Sequence, residues 1–286
     1  MENNVNSSGG HIPHTWVHDF GKFKLVLDES DTDFSRQVKM SGRYNYEILE
    51  PKIFEKYLKN SMTVLDLGAN IGYYTMLAAS KVGPKGRIFA FEPFPDNASL
   101  IRASIKENCF YNVVVVEAAV SDHDGSSTFY LSPYYISEHS LFDYHYSSGF
   151  HTSKKSINVK VLTIDNYLGN NVGNIKADFI KMDIEGSETR ALKGMKRTLV
   201  ENKHLILMTE FWPNGFANDK SDPHDFLETL QQMQFKIYHI DQFEQKVYPI
   251  SVDEMMKIAD FRIKNSIEKN KEIQSGGWYT NLLCIK

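Results

Sequence analysis

The sequence predicts an α/β domain built on a mostly parallel, doubly wound sheet with helices on both faces. Three observations predict it. Short apolar runs of strand length alternate with longer segments of helical period from residue 61 onward. The first of those runs ends in a glycine turn that opens a helix, in VLDLGANIGYYT. Carboxylates close several runs, at Asp66, Glu92, Asp183 and Glu210. A doubly wound sheet gathers its ligand groups outside the carboxyl ends of its strands.

The elements follow in order. Residues 15–30 carry two apolar runs around Gly21 and predict a short hairpin. Residues 44–60 place Ile48, Leu49, Ile53, Phe54, Tyr57 and Leu58 on one helical face, with Pro51 near the start of its main run. The hairpin and helix at 15–60 are expected to cover a domain spanning 61–286. MTVLDLG is a strand, YYTMLAASKV a helix closed by Gly83 and Pro84, and RIFAFEP a strand. NASLIRASIKENC is a helix and NVVVVEAAV a strand. An insertion at 132–158 breaks the rhythm between two expected strands, STFYLS and INVKVLT. DFIKMDI, HLILMTEF and KIYHIDQF then alternate as strands with the helices ETRALKGMKRTLVEN and HDFLETLQQMQ. Residues 253–273 form an amphipathic helix whose Met255, Met256 and Phe261 read as core cover, and YTNLLCIK is a last strand.

Composition sets bounds on function. The 286 residues are 42% hydrophobic and 24% charged, enough to bury a sizeable core. A net charge of −4 and a pI near 6.2 argue against a general nucleic-acid binder. The basic cluster of Lys154, Lys155 and Lys160 reads as a solvated loop. Cys109 and Cys284 form no CxxC pair and read as buried, reduced thiols. No apolar stretch reaches membrane-spanning length, and the polar start MENNVNSSGG has no signal core. Residues 1–14 are expected to be a disordered tail, and cytoplasmic residence follows by default.

The glycine turn has chemical content. Its frame, Asp66-x-Gly68-x-Asn70-x-Gly72, departs from the G-x-G-x-x-G of dinucleotide sites. Glycines let the backbone pass close to a ligand. A nicotinamide dinucleotide sets an anionic pyrophosphate over this turn, and Asp66 would repel it. S-adenosylmethionine brings an ammonium and a sulfonium, which a carboxylate attracts. Asn70 tolerates the left-handed geometry such a turn needs.

Glu92 ends the second strand twenty residues after Gly72, the spacing of a ribose-binding carboxylate. Phe94 either lies against the adenine or serves ordinary packing. The third strand ends in EAAVSD, where Ala118 and Ala119 leave room for a base. Ser121 or Asp122 either accepts from the adenine amino group or caps the turn.

These segments, VLDLGANIGYYT, FEPFPDNASLIRASIKEN, VVVVEAAVSDHDG, LTIDNYL and DFIKMDIEGSETRALKGM, together resemble the FkbM-type methyltransferases over about residues 40–240. The resemblance implies a seven-stranded class I methyltransferase fold and S-adenosylmethionine as methyl donor. It suggests O-methylation of a hydroxyl on a sugar, glycolipid or secondary metabolite. It implies that Asp66, Gly68, Ala69, Asn70 and Gly72 cradle the methionine end and that Glu92 holds the ribose. In the stretch EFWP this chain has Trp212 where many relatives have histidine.

A hydroxyl acceptor needs a base or a metal to take its proton. Asp183 is the main catalytic candidate, Glu210 its partner and Glu185 the third. Asp183 and Glu210 either act as carboxylates with split pKa values or hold Mg²⁺. Glu185 also reads as a helix-entry acid. The insertion is the candidate for recognising a small-molecule or glycan acceptor, through Tyr134, Tyr135, Tyr144, Tyr146, His139, His145 and His151. Two other readings stand beside this one: a nicotinamide-dependent oxidoreductase and a non-catalytic adenosylmethionine-binding protein.

Overall fold

A computed structural model describes residues 14–42, 48–132, 136–143, 155–170, 173, 175–268 and 278–286. The tail expected at 1–14, save His14, and Tyr134, Tyr135, Tyr144, Tyr146, His145, His151 and Lys154 lie outside the described residues.

The chain opens with the hairpin β1 (Thr15–Asp19) and β2 (Lys24–Asp28), then α1 (Phe34–Ser41) and α2 (Glu50–Tyr57). Helix α2 is shorter than the predicted 44–60 and carries Pro51 in its first turn. Next come β3 (Thr63–Leu67), α3 (Tyr73–Val82), β4 (Arg87–Phe91), α4 (Pro95–Asn108), β5 (Val113–Val116) and β6 (Ala119–Val120). They are followed by β7 (Gly125–Leu131), β8 (Lys155–Leu162), α5 (Ile164–Asn170), β9 (Phe179–Met182), α6 (Glu188–Gly194) and α7 (Lys196–Glu201). The last elements are β10 (Ile206–Phe211), α8 (Pro213–Asn218), α9 (Pro223–Gln232), β11 (Lys236–Asp241), β12 (Lys246–Pro249), α10 (Val252–Glu268) and β13 (Thr280–Ile285).

The main sheet runs β12-β11-β13-β10-β9-β3-β4-β5. Strands β10, β9, β3, β4 and β5 are parallel neighbours, and β13 is antiparallel to both β10 and β11. This is the doubly wound α/β sheet the alternation predicts, with one correction: it has eight strands rather than seven. The extra strand, β12, folds back antiparallel on β11. Asp241 makes that turn by accepting the backbone N–H groups of Phe243 and Glu244, each at 3.0 Å.

Other elements differ for local reasons. NVVVVEAAV is two strands, because the Ala118 N–H donates to the Val116 carbonyl at 2.9 Å and closes a tight turn. Strand β6 then leaves the main sheet to join β8 and β7 in a three-stranded sheet. ETRALKGMKRTLVEN splits at Met195, whose φ of −125° and ψ of 20° are not helical. Lys155 and Lys160 lie on β8 and not in a loop. Cys109 is exposed, at the left-handed end of α4, while Cys284 is buried. Met255 is buried as expected of core cover, but Phe261 is 65% exposed.

Strands β3 and β9 are buried on both faces, as parallel strands covered by two helix layers must be. Alternation sends Leu65, Leu67, Ile180 and Met182 to one core and Val64 and Phe179 to the other. The N-terminal hairpin docks on α4, where Ser104 Oγ accepts the Val26 N–H at 2.9 Å and Asn108 Oδ1 accepts the Lys24 N–H at 2.7 Å. Among the described residues, no helix is long and apolar enough to cross a membrane.

The strand order reverses between β3 and β9. Such a switch point opens a crevice outside the strands' carboxyl ends. Here those ends are Leu67 and Met182, paired in register.

Candidate active site

The two strand ends meet at Gly68 and Asp183. The Asp183 N–H donates to the Leu67 carbonyl at 3.0 Å. Gly68 has φ +79°, and a Cβ there would stand 1.8 Å from the Asp183 carbonyl oxygen. The glycine is therefore required first by the approach of β9, in addition to any ligand. Asn70 adopts φ +50°, the left-handed geometry expected of it. Gly72, at φ +94°, starts α3, and Ala69 is buried with its N–H on the Phe91 carbonyl at 3.0 Å.

A pocket opens at this point. Gly68 and Asn70 line it from the turn, Glu92 and Pro93 from the end of β4, and Asn97 from α4. Asp183, Ile184, Glu185 and Ser187 line it from the loop after β9. Val120, Phe129, Ser137, His139 and Leu141 close the remaining side.

Glu92 is oriented by the backbone. Its Oε2 accepts the Asn70 N–H at 2.8 Å and its Oε1 the Phe94 N–H at 2.9 Å. The Asn97 side chain also bonds this carboxyl, and a carboxylate's four acceptor sites leave room for a ligand hydroxyl. Burial pushes this carboxyl up to about 8, against the pull of those bonds. Asn97 Nδ2 donates to Asn70 Oδ1 at 3.1 Å, while Asn97 Oδ1 is buried without a partner among the described residues. Ser187 Oγ, also in the pocket, is buried and unpartnered in the same way. Orphaned polar atoms at a pocket wall fit a ligand rich in hydrogen-bonding groups.

Behind the turn lies Asp66, fully buried and outside the pocket lining. Its Oδ2 accepts from Thr75 Oγ1 at 2.6 Å, and its Oδ1 has no partner among the described residues. Burial raises the Asp66 carboxyl, and the nearby Lys181 ammonium opposes that rise.

Lys181 is a residue to which sequence reasoning gave no role. It stands two positions before Asp183 on β9, so strand alternation brings both side chains to one face. Lys181 Nζ donates to Asp183 Oδ2 at 2.9 Å and sits 4.6 Å from the Tyr74 ring centroid. Three further carboxyls share this neighbourhood. Glu185, in left-handed backbone at φ +53°, is raised well above the usual range by burial first and then by Asp183 and Glu188. Glu188 is pushed up to about 8 by burial, and its Oε1 accepts the Ile184 N–H at 3.0 Å. Glu210, buried at the end of β10, is raised well above the usual range by burial first and then by Asp183. Glu188 Oε2 and Glu210 Oε2 have no partner among the described residues. Neither Glu188 nor Glu210 lines the pocket.

The donor set does not favour Mg²⁺ at Asp183 and Glu210. The Lys181 ammonium already occupies Asp183 Oδ2. Among the described residues, only His224, Asp225 and Glu228, on α9, bring three ligand atoms within 4.8 Å of one another.

The remaining candidates lie around the pocket. Phe94 packs edge-on against His139, ring centroids 4.9 Å apart. Ala119 and Ser121 are buried outside the lining, and Val120 between them faces the pocket. Ser121 Oγ donates to Asp122 Oδ1 at 3.3 Å. Trp212 is buried at the start of α8. Asn97 and Glu188 carried no signal beyond their helical context.

The family model described as Methyltransferase FkbM domain matches residues 66–237. Ribosomal RNA large subunit methyltransferase E of Nitratidesulfovibrio vulgaris (strain DP4) is 31% identical over 100 residues, covering 31% of this chain and 49% of that protein. Protein-L-isoaspartate O-methyltransferase 1 of Arabidopsis thaliana is 38% identical over 74 residues, covering 23% of this chain and 31% of that one. The chain thus spans at most about half the length of these curated relatives. The crystal structure of a SAM dependent methyltransferase from Aquifex aeolicus is 14% identical, covering 89% of this chain and 99% of that chain at a TM-score of 0.44. The family model covers the glycine turn, the pocket carboxylates and the Lys181–Asp183 pair, and the chain belongs to the FkbM methyltransferase domain family.

Proposed function

We propose that this chain is an S-adenosylmethionine-dependent methyltransferase that methylates a hydroxyl oxygen on a small-molecule or glycan acceptor. One observation carries the reading. The pocket at the strand switch point is lined by Glu92, Asp183 and Glu185, and by no lysine or arginine among the described residues. Such a lining offers carboxyl oxygens to ribose hydroxyls and to an ammonium, and no cationic side chain to a pyrophosphate, which weighs against the nicotinamide reading.

S-adenosylmethionine, when bound, supplies a methyl carbon whose bonding pair to sulfur leaves with a neutral thioether. Glu92 accepts from the ribose hydroxyls with the acceptor capacity that the Asn70, Phe94 and Asn97 bonds leave it. Asn97 Oδ1 and Ser187 Oγ are the polar atoms waiting for further ligand groups. Asp183 accepts the proton of the acceptor hydroxyl as that oxygen bonds to the methyl carbon. The Lys181 ammonium holds the Asp183 carboxylate in position for this. Glu185, Glu188 and Glu210 are raised by burial and mutual repulsion, which leaves the basic role to Asp183.

A net charge of −4 and acidic groups at the pocket favour a small acceptor over a phosphate backbone. Two measurements test the reading. S-adenosylhomocysteine raises the melting temperature and NAD does not; a shift with NAD alone overturns the donor. Tritiated methyl from the donor enters the small-metabolite or glycan fraction of a cell extract; incorporation into RNA alone overturns the acceptor class.

A further inference from the structure

We infer that the His139 imidazole, carried by the insertion, donates a hydrogen bond to a ring nitrogen of the adenine of the bound nucleoside. The inference rests on the proposed donor and reassigns the described part of the insertion from acceptor to donor recognition.

Four observations carry it. From Glu92, the ribose anchor, the pocket continues along Val120, Phe129 and Leu141, an apolar wall suited to a flat base. His139 lines that same side, edge-on to Phe94 and to Phe129, with ring centroids 4.9 Å and 6.1 Å away. The Ser132 backbone N–H donates to His139 Nδ1 at 3.0 Å. A backbone N–H can only donate, so Nδ1 is the acceptor and the neutral ring carries its proton on Nε2. Burial holds the ring neutral, with its pKa lowered to about 4. At neutral pH the group is therefore an uncharged donor, which suits an unprotonated ring nitrogen and makes a poor base for a hydroxyl.

The segment bearing His139 is tied down on both sides. Ser140 exchanges backbone bonds with Tyr130, at 2.8 and 3.1 Å, and its Oγ donates to the Glu185 carbonyl at 2.9 Å. Ser137 Oγ donates to Asp33 Oδ2 at 2.8 Å. A donor held this way spends little ordering entropy when the ligand binds.

Calorimetric titration of the full chain tests this without an acceptor, using S-adenosylhomocysteine and its 1-deaza, 3-deaza and 7-deaza analogues. We expect one deaza analogue to bind the wild type about tenfold more weakly than the parent, the loss of one hydrogen bond in a desolvated site. That analogue alone is expected to bind wild type and His139→Ala equally, while His139→Asn, which keeps a donor, recovers part of the loss for the parent. Equal binding of all three analogues and the parent by the wild type overturns the inference even if the variants fail to fold. An equal penalty from His139→Ala on every analogue also overturns it. Failure of the wild type to bind S-adenosylhomocysteine at all overturns the donor reading and this inference with it. Parent binding with indifferent analogues overturns only this inference.

Discussion

Lys181 Nζ lies 2.9 Å from Asp183 Oδ2 and 4.6 Å from the centroid of the Tyr74 ring, so a buried cation is held between a carboxylate and an aromatic face. The Lys181 side chain is 8% exposed and that of Asp183 27% exposed. Cation–π contact adds to an ion pair when both are desolvated. Removing the cation leaves Asp183 without its partner and takes from Asp66, Glu185 and Glu210 the ammonium that opposes their rise. Lys181→Met is therefore expected to destabilise the fold by about 2–4 kcal/mol, the range for breaking a largely buried pair. Lys181→Arg, which keeps the charge, is expected to lose less than half of that. Urea unfolding of the two variants at pH 7 checks both values.

Asp183 faces the pocket and pairs with Lys181, which makes it the group placed to take a proton. Asp183→Asn preserves shape and removes basicity. We expect S-adenosylhomocysteine to bind the variant within about threefold of wild type, while methyl transfer falls about 10²–10⁴-fold, the usual contribution of a general base. Turnover is also expected to survive EDTA, because an ammonium already neutralises this carboxylate. Titration calorimetry and tritium incorporation, each with and without EDTA, measure these outcomes.

Glu92 links ligand binding to pH. Its carboxyl is pushed up to about 8 by burial, yet accepting both ribose hydroxyls favours the ionised form. Binding then releases a proton, so affinity for S-adenosylhomocysteine is expected to rise up to about tenfold per pH unit below about 8 and to level off above it. The ligand-free protein carries the opposite sign. A carboxyl raised in the folded state contributes stability that is complete below its unfolded value of 4.5 and is lost as pH rises toward about 8. Glu92→Gln is expected to flatten both profiles, measured as affinity and as melting temperature from pH 5 to 9. The difference from wild type isolates Glu92 from the other raised carboxyls.

The sequence made the sheet legible because its strands repeat one pattern, a buried run ending at a turn. Asp66, Glu92, Asp183 and Glu210 all end strands, so their gathering at one edge followed from topology. What stayed hidden depended on single contacts. Gly68 is legible as a turn glycine, but its need for the Asp183 carbonyl appears only when β3 and β9 are paired. Lys181 reads as one more residue of a buried strand until its alternation with Asp183 is set beside the surrounding acids. His139 lies among tyrosines and serines without periodicity, and only the bridge between Tyr130 and Ser140 brings it back to the pocket. Strand β12 escaped because it is short and half-exposed, with little apolar patterning.

Glu210 supplies a prediction that separates a catalytic carboxylate from a buried acid. Burial, with Asp183 as the next cause, raises its carboxyl well above the usual range, and its Oε2 has no partner among the described residues. Burial favours the uncharged form of such a carboxyl. Its contribution to stability is complete below its unfolded value and declines as pH rises above it. Glu210→Gln imitates the protonated form at every pH. The variant is expected to melt near the wild-type temperature at pH 5 and above it at pH 8. Methyl transfer is expected to stay within about threefold of wild type at pH 7, since Glu210 lies outside the pocket lining and burial disfavours its basic form. A loss of turnover comparable to that of Asp183→Asn, with the melting profile unchanged, would instead place an ionised Glu210 in the chemistry.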